Sequence, residues 1–118
     1  MKVARTNRVA EEIRREVSQL ICFELTDPRV AGVSVTGVKM TPDLRVARVY
    51  FNIPGDPERG EVAQKALQGA SGIFRKALSQ KLNMKFVPTF DFFYDESLEL
   101  QDKIDALFKE IEDKKMAE

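Results

Sequence analysis

The sequence predicts an α+β fold in which helices pack on one face of a three-stranded mixed sheet. Segments whose apolar residues recur every three or four positions alternate with segments whose apolar residues recur every second position. These are the periods of amphipathic helices and of half-buried strands. Two adjacent strands are followed by a long helical segment and one more strand, an order typical of α+β sandwiches. A length of 118 residues suits one domain with one hydrophobic core.

The first predicted helix runs to about Phe23, and Thr6 or Asn7 can cap its start. Its apolar positions follow helical spacing, and the turn-like segment 26–28 (TDP) ends it. Basic residues punctuate this helix between glutamates. They are Arg5, Arg8, Arg14 and Arg15.

Two strands form a predicted antiparallel hairpin. Residues 33–40 alternate in polarity, but the alternation slips at Gly37, which indicates a β-bulge there. A turn at residues 41–43 (TPD) leads into a second strand over residues 45–53. Ala47, Val49, Phe51 and Ile53 share one face of that strand and are expected in the core.

The second predicted helix starts at Asp56, a capping residue followed by proline, and runs to about Leu82. Gly69 and Gly72 lie near its middle. Each glycine weakens a helix by about 1 kcal/mol relative to alanine, so we expect a kink or break between them.

A third strand is predicted over residues 86–94, where Phe86, Pro88, Phe90, Phe92 and Tyr94 share one phase. Proline has no N–H to donate, which favours an edge position for this strand. Residues 97–116 are predicted to form a last, highly charged amphipathic helix. We therefore divide the chain into a body over residues 1–96 and an acidic helix or tail over residues 97–118.

The zero net charge conceals an uneven distribution. Residues 1–85 hold 15 lysines and arginines against nine acids, whereas residues 86–118 hold four against ten. Such asymmetry is typical of a basic binding body with an acidic tail, although chance could also produce it. The distribution favours an anionic partner.

Several functional classes lack their chemistry in this sequence. There is no histidine, and Cys22 is the only cysteine, so the commonest general base and a nucleophile–base pair are missing. No phosphate-binding P-loop and no acidic loop with metal-ligand spacing is present. No apolar run approaches the roughly 20 residues of a membrane span. We expect a cytoplasmic, non-enzymatic, monomeric protein with no cofactor, no metal and no membrane contact.

The segment with most functional information is Gly69-Ala70-Ser71-Gly72. A GxxG loop between two helices lets a nucleic-acid backbone approach closely, and the following helix start can attract phosphate. Arg75 and Lys76 follow on the same helix, away from its apolar face. The alternative is that the two glycines merely allow close packing of helix against sheet.

The order of elements and the mid-helix break fit a type II KH arrangement. KH loops usually carry basic residues between their glycines, whereas Ala70 and Ser71 stand here, so this loop should clamp phosphate more weakly. The chain resembles the ribosome-binding factor A family, a type II KH-like family whose helix break is an Ala-x-Gly kink. The resemblance covers nearly the whole chain through motifs in a fixed order. They are RVAEEIRRE at 8–16, DPRV at 27–30, TPDL at 41–44, ARVY at 47–50, ASG at 70–72, VPTFDF at 87–92 and DES at 95–97.

The resemblance implies a bacterial factor that binds the small ribosomal subunit and its rRNA during late maturation. It also implies help with 5′-end processing of the rRNA precursor, greatest importance in the cold, and release aided by an assembly GTPase. We expect RNA contact from the exposed cations and from the kink. These candidates are Arg5, Arg8, Arg14, Arg15, Arg45, Arg48, Ser71, Gly72, Arg75, Lys76, Lys81 and Lys85.

A protein-interaction module remains the alternative. In that interpretation the third strand or the last helix docks a protein partner. Salt dependence would separate the two, because phosphate contacts weaken steeply as salt rises and an apolar groove is far less sensitive.

Overall fold

A computed structural model describes residues 2–117, with side-chain burial for residues 5–116. The elements follow the predicted order. They are α1 (Lys2–Gln19), a π-helical turn (Leu20–Glu24), β1 (Ser34–Met40), β2 (Val46–Asn52), α2 (Gly60–Gly69), α3 (Ser71–Lys81), β3 (Thr89–Tyr94) and α4 (Ser97–Ala117). Across the part of the chain that is described, none of the helices has the length and apolar character needed to span a membrane.

The three strands form one mixed sheet in the order β1-β2-β3. β1 pairs antiparallel with β2 through the predicted hairpin, and β2 pairs parallel with β3. The register shifts between Val35 and Gly37, so Thr36 is the additional residue of a bulge. The predicted bulge at Gly37 and the predicted edge position of the third strand are both confirmed.

The core lies between one face of the sheet and the helices α1, α2 and α3. The period of two places Ala47, Val49 and Phe51 of β2 on this face, fully buried, as predicted. Phe90 and Phe92 of β3 lie beside them. From the helix side the core receives Ile13, Val17, Leu20, Ile21, Ala63, Ala66, Leu67, Phe74 and Leu78.

One predicted helix start is wrong, and the other is right in position but not in its cap. α1 already includes Thr6 and Asn7, so neither residue caps it. The second helical segment opens with a 3₁₀ turn over Pro57–Arg59, and α2 begins only at Gly60. The Asp56 side chain accepts no capping bond and instead pairs with the Arg59 guanidinium. An i,i+3 ion pair therefore replaces the expected cap.

The predicted start of the third strand is also wrong, because β3 begins at Thr89. Pro88 is buried, as its phase predicted, but Phe86 projects into solvent. Residues 86–87 are not paired in the sheet. The period of two that would have buried Phe86 therefore does not apply to them.

Candidate nucleic-acid interface

Three predicted RNA contacts from distant parts of the sequence meet in one groove. Arg5 comes from α1, Arg45 from the end of the β1–β2 turn and Lys85 from the loop between α3 and β3. The groove encloses about 930 Å³. We call it the cationic groove, and its other lining residues are Thr6, Val9, Glu12, Pro42, Asp43, Leu44, Leu82, Asn83, Met84, Phe86 and Val87.

The hairpin turn holds Arg45 at the mouth of this groove. The Thr41 hydroxyl donates to the Asp43 carboxylate at 2.7 Å, and the Arg45 backbone N–H donates to the same carboxylate at 3.1 Å. These two bonds lower the pKa of Asp43, so its negative charge persists in mild acid. The Arg45 side chain is 84% exposed and its Nε lies 4.0 Å from Asp43, too far for a hydrogen bond. The guanidinium therefore remains available to a phosphate.

Phe86 gives the groove an exposed aromatic ring. The ring is 79% exposed, and the Lys85 ammonium lies 5.6 Å from its centroid. Exposed aromatic rings beside cations are the usual means of holding an unstacked nucleobase next to its phosphate. Sequence reasoning missed this residue because the strand phase placed it in the core.

The kink between α2 and α3 is present and open. Ala70 separates the two helices with φ −90° and ψ 6°. A Cβ atom built on Gly69 or Gly72 would meet nothing within 4 Å. The alternative interpretation, that these glycines serve close helix–sheet packing, is therefore wrong. The surface beside the kink leaves room for a backbone to approach.

Ser71 has a local role at the kink. Its hydroxyl donates to the Gln68 carbonyl oxygen at 2.7 Å, so the hydroxyl proton is already engaged within the protein. The Ser71 oxygen in turn accepts a long hydrogen bond of 3.4 Å from the Gln68 side-chain amide.

Some of the predicted RNA-contact cations already form ion pairs within the protein, and others do not. Lys81 lies 3.3 Å from Glu16 and 3.9 Å from Glu24, which ties α3 to the end of α1. Arg14 pairs with Glu11, and this contact raises the pKa of Arg14 and lowers that of Glu11. Other candidates form no ion pair with any described residue. They are Arg5, Arg8, Arg15, Arg48, Arg75, Lys76 and Lys85.

The unpaired cations lie on more than one surface. Gly72, Arg75 and Lys76 are all exposed on α3, on the side predicted for them. Arg48, by contrast, alternates with the buried Ala47 and Val49 and so lies on the sheet face opposite the helices. The predicted RNA contacts therefore do not share one surface, because the sheet separates Arg48 from the groove and the kink.

Two glutamines of α2 close the outer edge of β3. The Gln64 amide donates to the Phe92 carbonyl at 2.6 Å, and the Gln68 amide donates to the Phe90 carbonyl at 2.7 Å. The Phe92 N–H in turn donates to the Gln68 side-chain oxygen at 3.2 Å. These bonds occupy backbone groups that an added strand would need. In the sequence, the i,i+4 spacing of Gln64 and Gln68 could have indicated this role, but the same spacing equally fits a solvent-exposed helix face.

Nothing within the described residues suggests a metal centre, since no three acidic, histidine or cysteine side chains among them group closely enough to hold an ion.

Comparison with known proteins decides the family. The family model for ribosome-binding factor A matches residues 5–108 of this chain. The chain belongs to the ribosome-binding factor A family. Ribosome-binding factor A of Geobacter sp. (strain M21) is 44% identical over 109 residues, which is 92% of each chain. That of Lacticaseibacillus casei (strain BL23) is 38% identical over 113 residues, which is 95% of this chain and 97% of the relative.

Solved structures of the ribosome-binding factor A family share the fold. The crystal structure of the Thermus thermophilus factor has a TM-score of 0.67 at 25% identity, covering 75% of this chain and 93% of that one. A homology model of the Thermus thermophilus factor, fitted into a cryo-EM map of a 30S complex, has a TM-score of 0.65 at 24% identity. It covers 77% of this chain and 96% of that one. The predicted α+β, type II KH-like fold is confirmed.

Proposed function

We propose that this protein binds the small ribosomal subunit through its rRNA, with the cationic groove as the principal contact and without covalent chemistry. The convergence of Arg5, Arg45 and Lys85 on one groove beside the exposed Phe86 carries the proposal. Its family relatives are named for ribosome binding. The Thermus thermophilus factor of the same fold was fitted into a map of a 30S complex.

The groove combines the two interactions that single-stranded or looped RNA offers. Guanidinium and ammonium groups neutralise phosphates, and a ring such as Phe86 stacks on a base. Glu12 and Asp43 also line the groove and limit its net positive charge. Moderate affinity suits a factor that must leave its target. The open kink, with Arg75 and Lys76, offers a second place where the RNA backbone can approach.

Binding alone can direct rRNA folding. A protein that binds one RNA arrangement more tightly than another shifts the population towards it. A difference of about 1–3 kcal/mol biases the equilibrium by roughly 5- to 150-fold. In the proposed role this bias favours late maturation of the subunit and 5′-end processing of the rRNA precursor. The role matters most in the cold, where misfolded RNA helices exchange slowly, and an assembly GTPase aids release.

A charge-reversal variant tests the groove. We expect Arg5→Glu/Arg45→Glu/Lys85→Glu to lower affinity for purified small subunits at least tenfold and to reduce the slope of log affinity against log salt, because phosphate contacts are lost. Co-sedimentation at several salt concentrations measures both quantities. The matched control reverses three lysines of α4, Lys103, Lys109 and Lys114, with the same change in net charge. Equal affinity of wild type and groove variant, with both folded by circular dichroism, would exclude the groove.

The rival function is docking of a protein partner through β3 or the last helix. The glutamine bonds along β3 disfavour strand addition at that edge. α4 keeps an exposed apolar stripe, which includes Leu107, Phe108 and Ile111. Binding to subunits that is insensitive to salt, and that is lost when this stripe is made polar, would favour the rival.

A further inference from the structure

The sheet has a second face that the described helices leave open around Arg48 and Tyr50, whereas Asn52 at its other end is buried. α1, α2 and α3 pack on the other face, and the α4 side chains from Gln101 to Met116 are all exposed. On the open face, Lys39 lies opposite Arg48 and Gly37 lies opposite Tyr50 in the register of β1 and β2. From β3, Asp91 lies opposite Arg48 and Phe93 opposite Tyr50.

The two aromatic rings on this face form a platform. The Tyr50 and Phe93 rings are stacked, with centroids 5.7 Å apart and planes inclined by 29°. Phe93 is 40% exposed, although it is large and apolar. Gly37 has no side chain to cover the flank of Tyr50, and a Cβ atom there would meet nothing within 4 Å. The half-buried Tyr50 ring is therefore not covered by a side chain from position 37.

Two cations, Lys39 and Arg48, lie beside the platform on β1 and β2. The Lys39 ammonium lies 5.8 Å from the Tyr50 centroid, and Arg48 occupies the neighbouring position on the central strand. Neither cation forms an ion pair with a described residue, although Asp91 stands next to Arg48 in the register. Aromatic rings beside free cations on an open sheet match the stacked bases and phosphates of a single strand.

We propose that this open face, formed by Lys39, Arg48, Tyr50 and Phe93, binds an unpaired RNA segment by stacking its bases on the two rings. A double helix is a poor ligand here because its base faces are already stacked within the duplex. Arg48 of β2 follows Arg45, which lies just before that strand in the cationic groove, by three residues, or about 10 Å of extended chain. One RNA strand can therefore pass round the hairpin end of the sheet from groove to platform. The inference rests on the proposed function for the choice of RNA as ligand.

The test compares binding of the full chain to an unstructured 12-nucleotide RNA and to a 12-base-pair RNA duplex. Tyr50→Leu/Phe93→Leu removes the rings but keeps apolar cover on the sheet, and we expect about a tenfold loss of single-strand affinity with no change for the duplex. Phe23→Leu, at an exposed ring elsewhere, is the matched control and should bind as wild type. Asp91→Asn should strengthen single-strand binding, because it removes the carboxylate opposite Arg48 in the register.

Stacking also has a direct spectroscopic readout. The chain has no tryptophan and two tyrosines, so in a Tyr94→Phe background all tyrosine emission comes from Tyr50. The single strand should quench this emission. Absence of quenching, or equal loss of duplex and single-strand binding in the Tyr50/Phe93 variant, would overturn the platform.

Subunit binding separates the two proposals. If the Tyr50/Phe93 variant binds both the single-stranded oligonucleotide and the subunits like wild type while the groove variant loses subunit binding, the platform inference fails and the proposed function stands. If the platform variant loses subunit binding although wild type never binds the oligonucleotide, the open face contacts ribosomal protein and the platform inference also fails. If the platform binds the oligonucleotide but neither variant affects subunit binding, the platform stands and the groove proposal fails.

Discussion

Glycines in this chain serve opposite purposes at different positions. Gly60, at the start of α2, packs so closely on Tyr94 that a Cβ atom would lie 2.7 Å from the ring. That ring is held from two sides, since it packs edge-on against Phe51 and its hydroxyl donates to Glu99 at 2.6 Å. Gly72 has open space instead. Folding therefore does not require a glycine at position 72, and the surface there is open to a ligand. Packing against Tyr94, by contrast, requires Gly60.

We expect Gly60→Ala to lower the free energy of unfolding by about 1–3 kcal/mol, since the added methyl group must displace a fixed ring. Gly72→Ala is the matched control, and it should leave stability unchanged or raise it by up to about 1 kcal/mol, because alanine favours helix and meets no neighbour. Urea denaturation measures both. A Gly60→Ala protein as stable as wild type would contradict the packing argument.

Among elements, the bulge in β1 is joined to the start of α4. The Thr36 hydroxyl donates to the Asp95 carboxylate at 2.7 Å, across the central strand. The same carboxylate accepts the Ser97 backbone N–H at 2.9 Å. The bonds from Thr36 and Ser97 lower the pKa of Asp95. One side chain thus connects the bulge, the end of β3 and the first turn of α4.

This link predicts a pH dependence of stability. Because folding lowers the Asp95 pKa, the unfolded chain binds more protons in acid than the folded protein does. The stabilisation is complete above the ordinary pKa of about 3.9 and is lost as the pH falls through the lower pKa of the folded state. We expect Asp95→Asn to lower the free energy of unfolding by up to about 1 kcal/mol at pH 7. As the pH falls from 5 to 3, the free energy of unfolding should decrease less in this variant than in wild type.

Urea denaturation at each pH measures the difference. Asp91→Asn is the control on the same strand, because Asp91 forms no hydrogen bond or ion pair with a described residue. If wild type and Asp95→Asn lose equal stability on acidification, the link between bulge and α4 contributes nothing.

At the scale of the whole molecule, α4 extends away from the body. The radius of gyration is 17.7 Å, whereas a compact chain of this length has about 13.5 Å. The longest dimension is 65 Å, and a 21-residue helix accounts for about 32 Å of it. An isolated helix with so little tertiary packing is marginal in water. We therefore propose the division between body and tail near residue 96.

Truncation after Glu96 tests this division. We expect the shortened chain to keep a cooperative thermal transition, because α4 buries little of the core. Its midpoint should fall by several degrees, because the bonds of Ser97 to Asp95 and of Tyr94 to Glu99 are lost. Its radius of gyration by small-angle scattering should fall to about 12.5 Å. The full chain measured beside it is the reference. An unfolded or aggregated truncation product would show that α4 is part of the body.

Much of this fold follows from local periodicity. The period of two in residues 45–53 determined which side of β2 is buried, and the glycines at 69 and 72 determined where the long helical segment breaks. The helix starts and the beginning of β3 were predicted less well. There an ion pair at Asp56 and the loss of strand pairing before Thr89 overrode the local signals.

The candidate site was only partly predictable for the same reason. Sequence identified the cations, because charge is a property of each residue, but it could not assign them to surfaces. Only the tertiary structure brought Arg5, Arg45 and Lys85 into one groove and exposed Phe86, whereas the period of two in β2 already placed Arg48 on the face away from the core. These placements depend on contacts between residues some 40 positions apart. Local spacing determines an element and its buried face, whereas strand pairing and helix packing determine which distant side chains become neighbours.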